Sequence, residues 1–528
     1  MRRLKIQENL IDKAVQFVAP QWGARRRQAR MTMAISDAYI AGRSDRRALK
    51  HYQPGSGSPD SDINGGLDTM RARSRDLARN NPVGGGAIHT AVNHTVGTGL
   101  ALIPKLDRKI LGISAEEAKA REEEIGIYWR IFLEECDFYR KLDVYGQQGL
   151  ALRSALENGD LVAILPWRKY PGNVFGTKIQ LVEGDRLGNP GFRADSLDWS
   201  GGVHLDGSGV PIGYNIKSYH PGDIKAGLNR KEQEYPAYDS LGLRRTLHMY
   251  WQLRVDQHRG VPYLAPVVEV IKQLGTFTDA ELQGAVVAAM FTVFTKTEGR
   301  EGLDPSDLLA GDGETKSSDG DLQLKSGMVV DLAPGEDVVI ANPGRPNPQF
   351  DPFVQALCRQ VGMALEIPYE VLIKHFTASY SASRAALLEL WKFVTARRAW
   401  LVREFCQPVY EVFMWELVSS GYVNLPGFLQ DPVARRGYLA AEWIGDAMPT
   451  VDPVKDIQAA ALRMENDLTT HEEESMALTG REWLPKVEQM KYERELLGSQ
   501  EPGVRSQEKN GEEKEEEGKN DKKDIEEE

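Results

Sequence analysis

Ala378-Ser379-Tyr380-Ser381-Ala382-Ser383-Arg384 is a short, small, polar stretch that runs straight into an apolar-striped segment, residues 385–418. Leu387, Trp391, Val394, Leu401 and Phe405 share one helical register there. At ~1.5 Å per residue the segment predicts a helix about 50 Å long. Ser383 is the expected N-cap. Pro408 has no backbone donor and places an irregularity near Glu404. A rod of that length is either the spine of a large domain or a packing surface between copies of the chain.

Upstream, the spacing of Val268, Ile271, Leu274, Phe277, Leu282, Val286, Met290 and Val293 predicts a helix over residues 265–295. Residues 299–326 are rich in Gly, Asp and Ser, a loop composition. Two strands are expected at 328–332 and 337–341, and a return helix at 353–365. Helix, small β tip and return helix make a protruding finger that needs lateral support, which identical neighbours in a ring would supply.

Earlier still, the pattern predicts a helix over 67–80 with Leu67, Met70, Ser74, Leu77 and Ala78 on one side and four arginines on the other. Pro82 and Gly84–Gly86 interrupt it, and the helix resumes over 87–96. Ser114 is a predicted N-cap for a helix reaching Cys136, and a further helix covers 144–157. The period then shortens. Residues 160–167, 178–182, 203–205, 212–219 and 247–255 read as strands of a β-rich body, with a tight turn at Asp206-Gly207. Downstream, Asp452-Pro453 and Thr470-His471-Glu472-Glu473 open helices, and helical signal stops at Gly498.

The net charge of −12 argues against a protein that coats nucleic acid through a basic surface. The charge is uneven: residues 1–50 hold 12 Lys/Arg against 4 Asp/Glu, and residues 501–528 hold 6 against 12, so both ends read as solvated tails. Cys136, Cys358 and Cys406 lie far apart in apolar segments and read as core residues of a reducing compartment. The N-terminus lacks the apolar core of a signal peptide, and the apolar run 285–295 falls short of the ~20 residues of a membrane helix. A soluble, cytosolic chain is expected.

Catalytic motifs are not assembled. Asn81-Pro82-Val83-Gly84-Gly85-Gly86 lacks the Lys-Ser/Thr ending of a P-loop and reads as a helix–helix joint. His89 and His94 are five apart, the wrong spacing for a helical zinc pair. Ser379, Ser381 and Ser383 have no nucleophile elbow around them. Glu183 and Asp185 read as a solvated turn. No catalytic residue, metal site or cofactor is expected.

Several stretches together resemble one family, the portal proteins of tailed bacteriophages, in their lambda-like branch. They are Arg73-Ser74-Arg75-Asp76-Leu77-Ala78-Arg79-Asn80-Asn81-Pro82 with Gly97-Thr98-Gly99; Val182-Glu183-Gly184-Asp185-Arg186-Leu187; residues 209–216 (GVPIGYNI); Arg259-Gly260-Val261-Pro262-Tyr263-Leu264-Ala265-Pro266; Tyr380-Ser381-Ala382-Ser383-Arg384-Ala385-Ala386; and Val451-Asp452-Pro453-Val454-Lys455. They lie in order across residues 67–490. One departure is Ser379, where the family usually has Asn before the Tyr.

The resemblance implies an α+β portal-type subunit that assembles as a dodecameric ring at one capsid vertex. The ring is the channel for packaging and ejecting double-stranded DNA. Implied partners are the terminase large subunit, capsid and scaffold proteins and head–tail connector proteins, without a membrane. The implied location is the virion, and the host cytoplasm during assembly. The implied parts are a basic N-terminal segment (1–66), a wing (67–264 and the long helix 385–425), stem helices (265–296 and 351–366), a clip (297–350), a tunnel loop (367–384), crown-like helices (426–498) and an acidic tail (499–528). On that loop Lys374, His375, Thr377, Ser379, Tyr380 and Ser381 are the implied DNA-channel residues, with Lys374 and His375 the candidates for phosphate contact. The alternatives from other classes are a nuclease or ATPase of the packaging machinery, and a cytosolic scaffold unrelated to DNA.

Overall fold

The computed structural model describes residues 20–22, 24–25, 28, 47–49, 51–224, 231–289, 293–297, 336–340, 348–376, 379–448 and 452–498. The chain divides into two compact units. One comprises residues 1–67 with 252–259, the other residues 68–251 with 260–528. Within the first, Ser58 caps the short α1 (Pro59–Asn64), its Oγ accepting from the Ser61 N–H. Arg254 pairs there with Asp62 at 2.7 Å, and His258 Nδ1 lies 2.7 Å from Asp60.

The second unit is α+β. Helix α2 (Leu67–Asn80) stops at Asn81, whose side chain accepts from the Val83 and Gly84 N–H groups and caps α3 (Pro82–Thr95). The helix thus resumes at Pro82, five residues before the expected start, with the three glycines inside it. They allow close approach rather than a break. A Cβ on Gly84 would lie 3.0 Å from the Leu77 carbonyl oxygen, and one on Gly85 2.8 Å from that of Ala78.

β1 (Ala101–Pro104) and the one-turn α4 (Arg108–Leu111) lead to α5 (Ala115–Glu135), where Ser114 and Glu117 form a full capping box. α6 (Val144–Asn158) is capped by Asp143 and ends at Gly159, φ +89°.

Seven strands follow: β2 (Asp160–Ile164), β3 (Gln180–Glu183), β4 (Trp199–Ser200), β5 (Val203–Leu205), β6 (Pro211–Lys217), β7 (Glu232–Pro236) and β8 (Thr246–Tyr250). They make two antiparallel sheets, ordered β3-β2-β8 and β4-β5-β6-β7. β2 is buried along its whole length because side chains alternate between two cores. Leu161 and Ala163 join the main core. Val162 and Ile164 join a second core with Val182, Leu187, Val203, Leu205, Tyr214 and Ile216.

α7 (Val268–Ala289) is the outgoing limb of the finger. The helix does not continue to residue 295 as expected. β9 (Val293–Thr297) pairs antiparallel with β10 (Glu336–Ile340), Thr295 opposite Val338. Val293, Thr295 and Thr297 are β-branched at period two, which favours a strand once a partner is present. The expected strand at 328–332 and the loop at 299–326 lie outside the described residues. α8 (Phe350–Ala364) returns beside α7, with Phe277 stacked on Phe350 at 5.6 Å and edge-on to Phe353 at 4.9 Å.

After α9 (Tyr369–Leu372) comes the spine: α10 (Tyr380–Leu401), a π-helical turn at Val402–Cys406, and α11 (Gln407–Ser419). It is continuous over about 60 Å. The Gln407 N–H donates to the Val402 carbonyl, five residues back, so the irregularity expected from Pro408 is a π turn. The spine and α5 share an aromatic cluster: Phe413 lies 5.1 Å from both Trp129 and Phe132, and Tyr410 is 5.7 Å from Trp129.

α12 (Pro432–Tyr438), β11 (Ala441–Ile444), α13 (Pro453–Glu465), α14 (His471–Thr479) and α15 (Trp483–Gly498) complete the described chain. β11 pairs antiparallel with β1. Asp452 caps α13, and Thr470 forms the expected capping box with Glu473. The three cysteines are free and buried. No helix among the described residues is long and apolar enough to cross a membrane.

Candidate functional site

The stretch from α9 to the first turn of α10 carries the residues singled out from the sequence. α9 ends with Lys374 in the left-handed region, φ +55°. The Lys374 N–H donates to Val371 O at 3.3 Å and the His375 N–H to Glu370 O at 3.0 Å, which closes the helix end. Lys374, His375 and Phe376 are exposed. Thr377, with Ala378, lies outside the described residues.

Ser379, not Ser383, caps the spine. Its Oγ accepts from the Ala382 N–H at 3.4 Å, and Ser383 donates its N–H to Ser379 O inside the first turn. Three serines at alternate positions offer several caps, and the earliest wins because it adds a turn to the rod. Tyr380 and Ser381 are therefore helical, and the loop is shorter than 367–384.

Tyr380 is also tied to α13. Its hydroxyl accepts from Arg384 Nη1 at 3.2 Å, and Lys455 Nζ lies 5.1 Å from its ring centroid. Arg384 Nη2 pairs with Asp456 at 2.9 Å, and Lys455 with Asp452 at 2.9 Å. Two of the family-like stretches, at 380–386 and 451–455, thus meet here. Nothing in the sequence foretells their contact: Asp452 reads as a cap within a family-like stretch, and Asp456 carries no motif.

No carboxylate among the described residues lies within ion-pair distance of Lys374. Its charge is felt at the half-buried His94 of α3. Burial, then Lys374, then Arg398 push that imidazole below its ordinary value. This end of the spine thus offers an exposed positive group that can meet an anion transiently. Among the described residues no group of His, Cys, Asp or Glu is arranged to hold a metal ion.

The other family-like stretches converge elsewhere. Arg71 and Arg75, expected on the polar side of α2, point inward. Arg71 is 2% exposed, pairs with Asp160 at 2.5 Å, and donates Nε to Asn158 O. Asp160 also lies 3.3 Å from His248 Nε2 and from the Gly260 N–H. Arg75 grips Asp185 through both terminal nitrogens, and its Nε donates to Asn158 Oδ1 at 2.7 Å.

Burial alone would raise the Asp185 carboxyl, but the Arg75 hydrogen bonds and the charges of Arg71 and Arg75 hold it below its ordinary value. The solvated turn expected at Glu183–Asp185 is therefore corrected: Asp185 is a mostly buried ion-pair partner because α2 brings Arg75 to it. The stretches at 73–82 and 182–187 meet through Arg75 and Asp185, and Gly260 joins the same structural junction through Asp160.

The family described as phage portal protein, lambda family, matches residues 45–398. Portal protein B of Escherichia phage lambda is 26% identical over 450 residues, covering 81% of this chain and 83% of its own length. The portal protein of Escherichia phage N15 is 26% identical over 451 residues, covering 81% and 84%. Among solved structures, a chain from the virion of a native gene transfer agent particle gives a TM-score of 0.42 at 14% identity, covering 80% of this chain and 95% of that one. A chain from the neck of that particle, computed with C12 symmetry, gives 0.39 at 15% identity, covering 83% and 98%.

Proposed function

The chain belongs to the lambda family of phage portal proteins, and from that premise we propose that it forms a ring, of about a dozen copies, at one capsid vertex, through which double-stranded DNA is packaged and later ejected. The match over residues 45–398 carries this reading. It acts as a conduit without catalysis of its own. The terminase large subunit, capsid and scaffold proteins and head–tail connector proteins dock on it. It assembles in the host cytoplasm and resides in the virion.

In this reading α7 and α8 are the stem and the β9–β10 ladder belongs to the clip. The two sheets and the spine form the wing, α13–α15 the crown, and residues 373–379 the tunnel loop. Exposed apolar residues on the finger support lateral neighbours. Leu282 and Val286, one turn apart on α7, are 64% and 50% exposed, and Met363 at the end of α8 is 77% exposed. Such side chains are covered when copies stand side by side. Lys374 supplies sparse positive charge, with the His375 ring beside it as a hydrogen-bonding group, enough for passing contact with phosphates and too little to hold a polyanion.

Mass photometry and negative-stain imaging of the purified protein test this. A ring with a central hole is expected, and a stable monomer with metal-dependent nuclease activity overturns the proposal. Replacing Lys374 and His375 together by Asn leaves the ring intact and impairs DNA packaging or retention. Loss of the ring would show these residues to be packing elements.

A further inference from the structure

A second concentration of positive charge lies far along the chain from the tunnel loop. Residues 138–141 read Phe-Tyr-Arg-Lys and residues 167–170 read Trp-Arg-Lys-Tyr. The fold stacks the two segments. Arg140 lies 4.4 Å from the Tyr170 ring centroid, and Arg168 lies 5.2 Å from that of Phe138 and 5.1 Å from that of Tyr170. The Tyr170 hydroxyl donates to Phe138 O at 2.7 Å, which locks one segment on the other. Tyr139 and Trp167 flank this stack, 51% and 65% exposed.

Three acids nearby are held by N–H donors. Glu135 accepts from the Val174 and Phe175 N–H groups, and Asp137 from those of Tyr139, Lys141 and Leu142. Glu416 accepts from Gly176 N–H, Thr177 N–H and Trp167 Nε1. Their oxygens are occupied by N–H donors rather than by a neighbouring cation. No carboxylate among the described residues lies within ion-pair distance of Arg140, Lys141, Arg168 or Lys169, all exposed. Beneath them Lys178 is fully buried, its ammonium held by two carbonyl oxygens, those of Glu135 and Phe175. Four exposed positive charges therefore flank a pre-shaped aromatic surface in a chain whose net charge is −12.

We propose that this patch is the docking surface for an acidic peptide, and that the peptide is the Glu-rich segment 499–528 of the same chain. That segment includes Glu512-Glu513-Lys514-Glu515-Glu516-Glu517 and Glu526-Glu527-Glu528. Reach is sufficient. Lys119 near the start of α5 pairs with Glu488 of α15 at 3.2 Å. From there the patch lies about 25–30 Å away along α5, and Gly498 about 15 Å away along α15. Thirty residues span at most about 100 Å.

Tethering decides the choice of partner. Exposed ion pairs are individually weak. A tethered acidic segment meets the patch at an effective concentration in the millimolar range, and so occupies a surface that a free partner would not. Duplex DNA has no such advantage and is repelled at long range by the acidic chain.

Zero-length carbodiimide cross-linking of the full chain with mass-spectrometric mapping tests this. Lys141 and Lys169 link to glutamates in 512–528 at least fivefold more often than exposed Lys392 does, and 0.5 M salt removes the preference. Arg140→Asn with Arg168→Gln keeps both lysines and cuts these links at least fivefold; Asn suits the positive φ of residue 140. Arg168→Gln alone serves if the double variant folds poorly. Equal linking at Lys392, links unchanged in both variants, or links from the patch to carboxylates outside 499–528 overturn the proposal. So does protection of Lys141 and Lys169 by a short duplex where no tail link forms. In mixtures of isotopically distinct copies, links confined to one isotope support the same-chain assignment, and mixed links overturn it.

Discussion

The junction around Arg71 and Arg75 and the first turn of the spine use the same ingredients, Arg against Asp, to opposite ends. At the junction, Arg71–Asp160 and Arg75–Asp185 are shut between α2, β2 and the end of β3. At the spine, Arg384–Asp456 and Lys455–Asp452 stand near the surface and leave Lys374 unpaired among the described residues. Both places are built from stretches that mark the family. Sequence identity of a motif therefore does not say whether it carries architecture or activity. Burial does, because a charge withdrawn from water must be paired.

The contrast breaks most sharply if the junction is disturbed. Arg71→Met takes the guanidinium from the buried Asp160 carboxylate and costs about 3–5 kcal/mol, read by denaturant unfolding. A loss under 1 kcal/mol would mean that the pair is not closed to water. Asp185→Asn costs about 2 kcal/mol at neutral pH, since the pair is partly accessible.

That variant also changes the acid limb. The Asp185 carboxyl is held below its ordinary 3.8, so its contribution is complete above that value and fades as pH falls through the lowered one. Below pH 4 the parent should lose stability faster than the variant in urea titrations at stepped pH.

Effects at the spine are smaller. Ser379→Ala removes the cap and costs about 1 kcal/mol, while Ser383→Ala stays within about 0.5 kcal/mol. The reverse order would restore the cap to Ser383. Least of all, Lys374→Asn leaves stability within about 0.5 kcal/mol, because Asn accepts the positive φ. It raises the His94 titration midpoint seen by NMR, since one of the cations depressing it is gone.

How much of this was legible follows from where the determining contacts lie. Caps are local chemistry, so Ser114, Asp452 and Thr470 announced their helices. The paired strands β1 and β11 are some 340 positions apart and short, and nothing nearby marks either one. β7, Glu-Gln-Glu-Tyr-Pro, is a polar edge strand without alternation. Val293–Thr297 fitted a continuing helix until a distant partner claimed it.

At the site, the exposed Lys374 and His375 were readable as a polar stretch. The brace from Tyr380 and Arg384 to Lys455 and Asp456 required the fold, as did the inward turn of Arg71 and Arg75, which helical periodicity alone placed outside.

The π turn at Val402–Cys406 has a consequence for phase. It spends one residue more than an α turn, which rotates everything beyond it by about 100° about the rod axis. The half of the spine that meets α5 and the half that begins at Ser379 are therefore clocked independently. Removing a single residue from this turn would leave both halves helical yet swing one of them about a quarter-turn out of step with its neighbours.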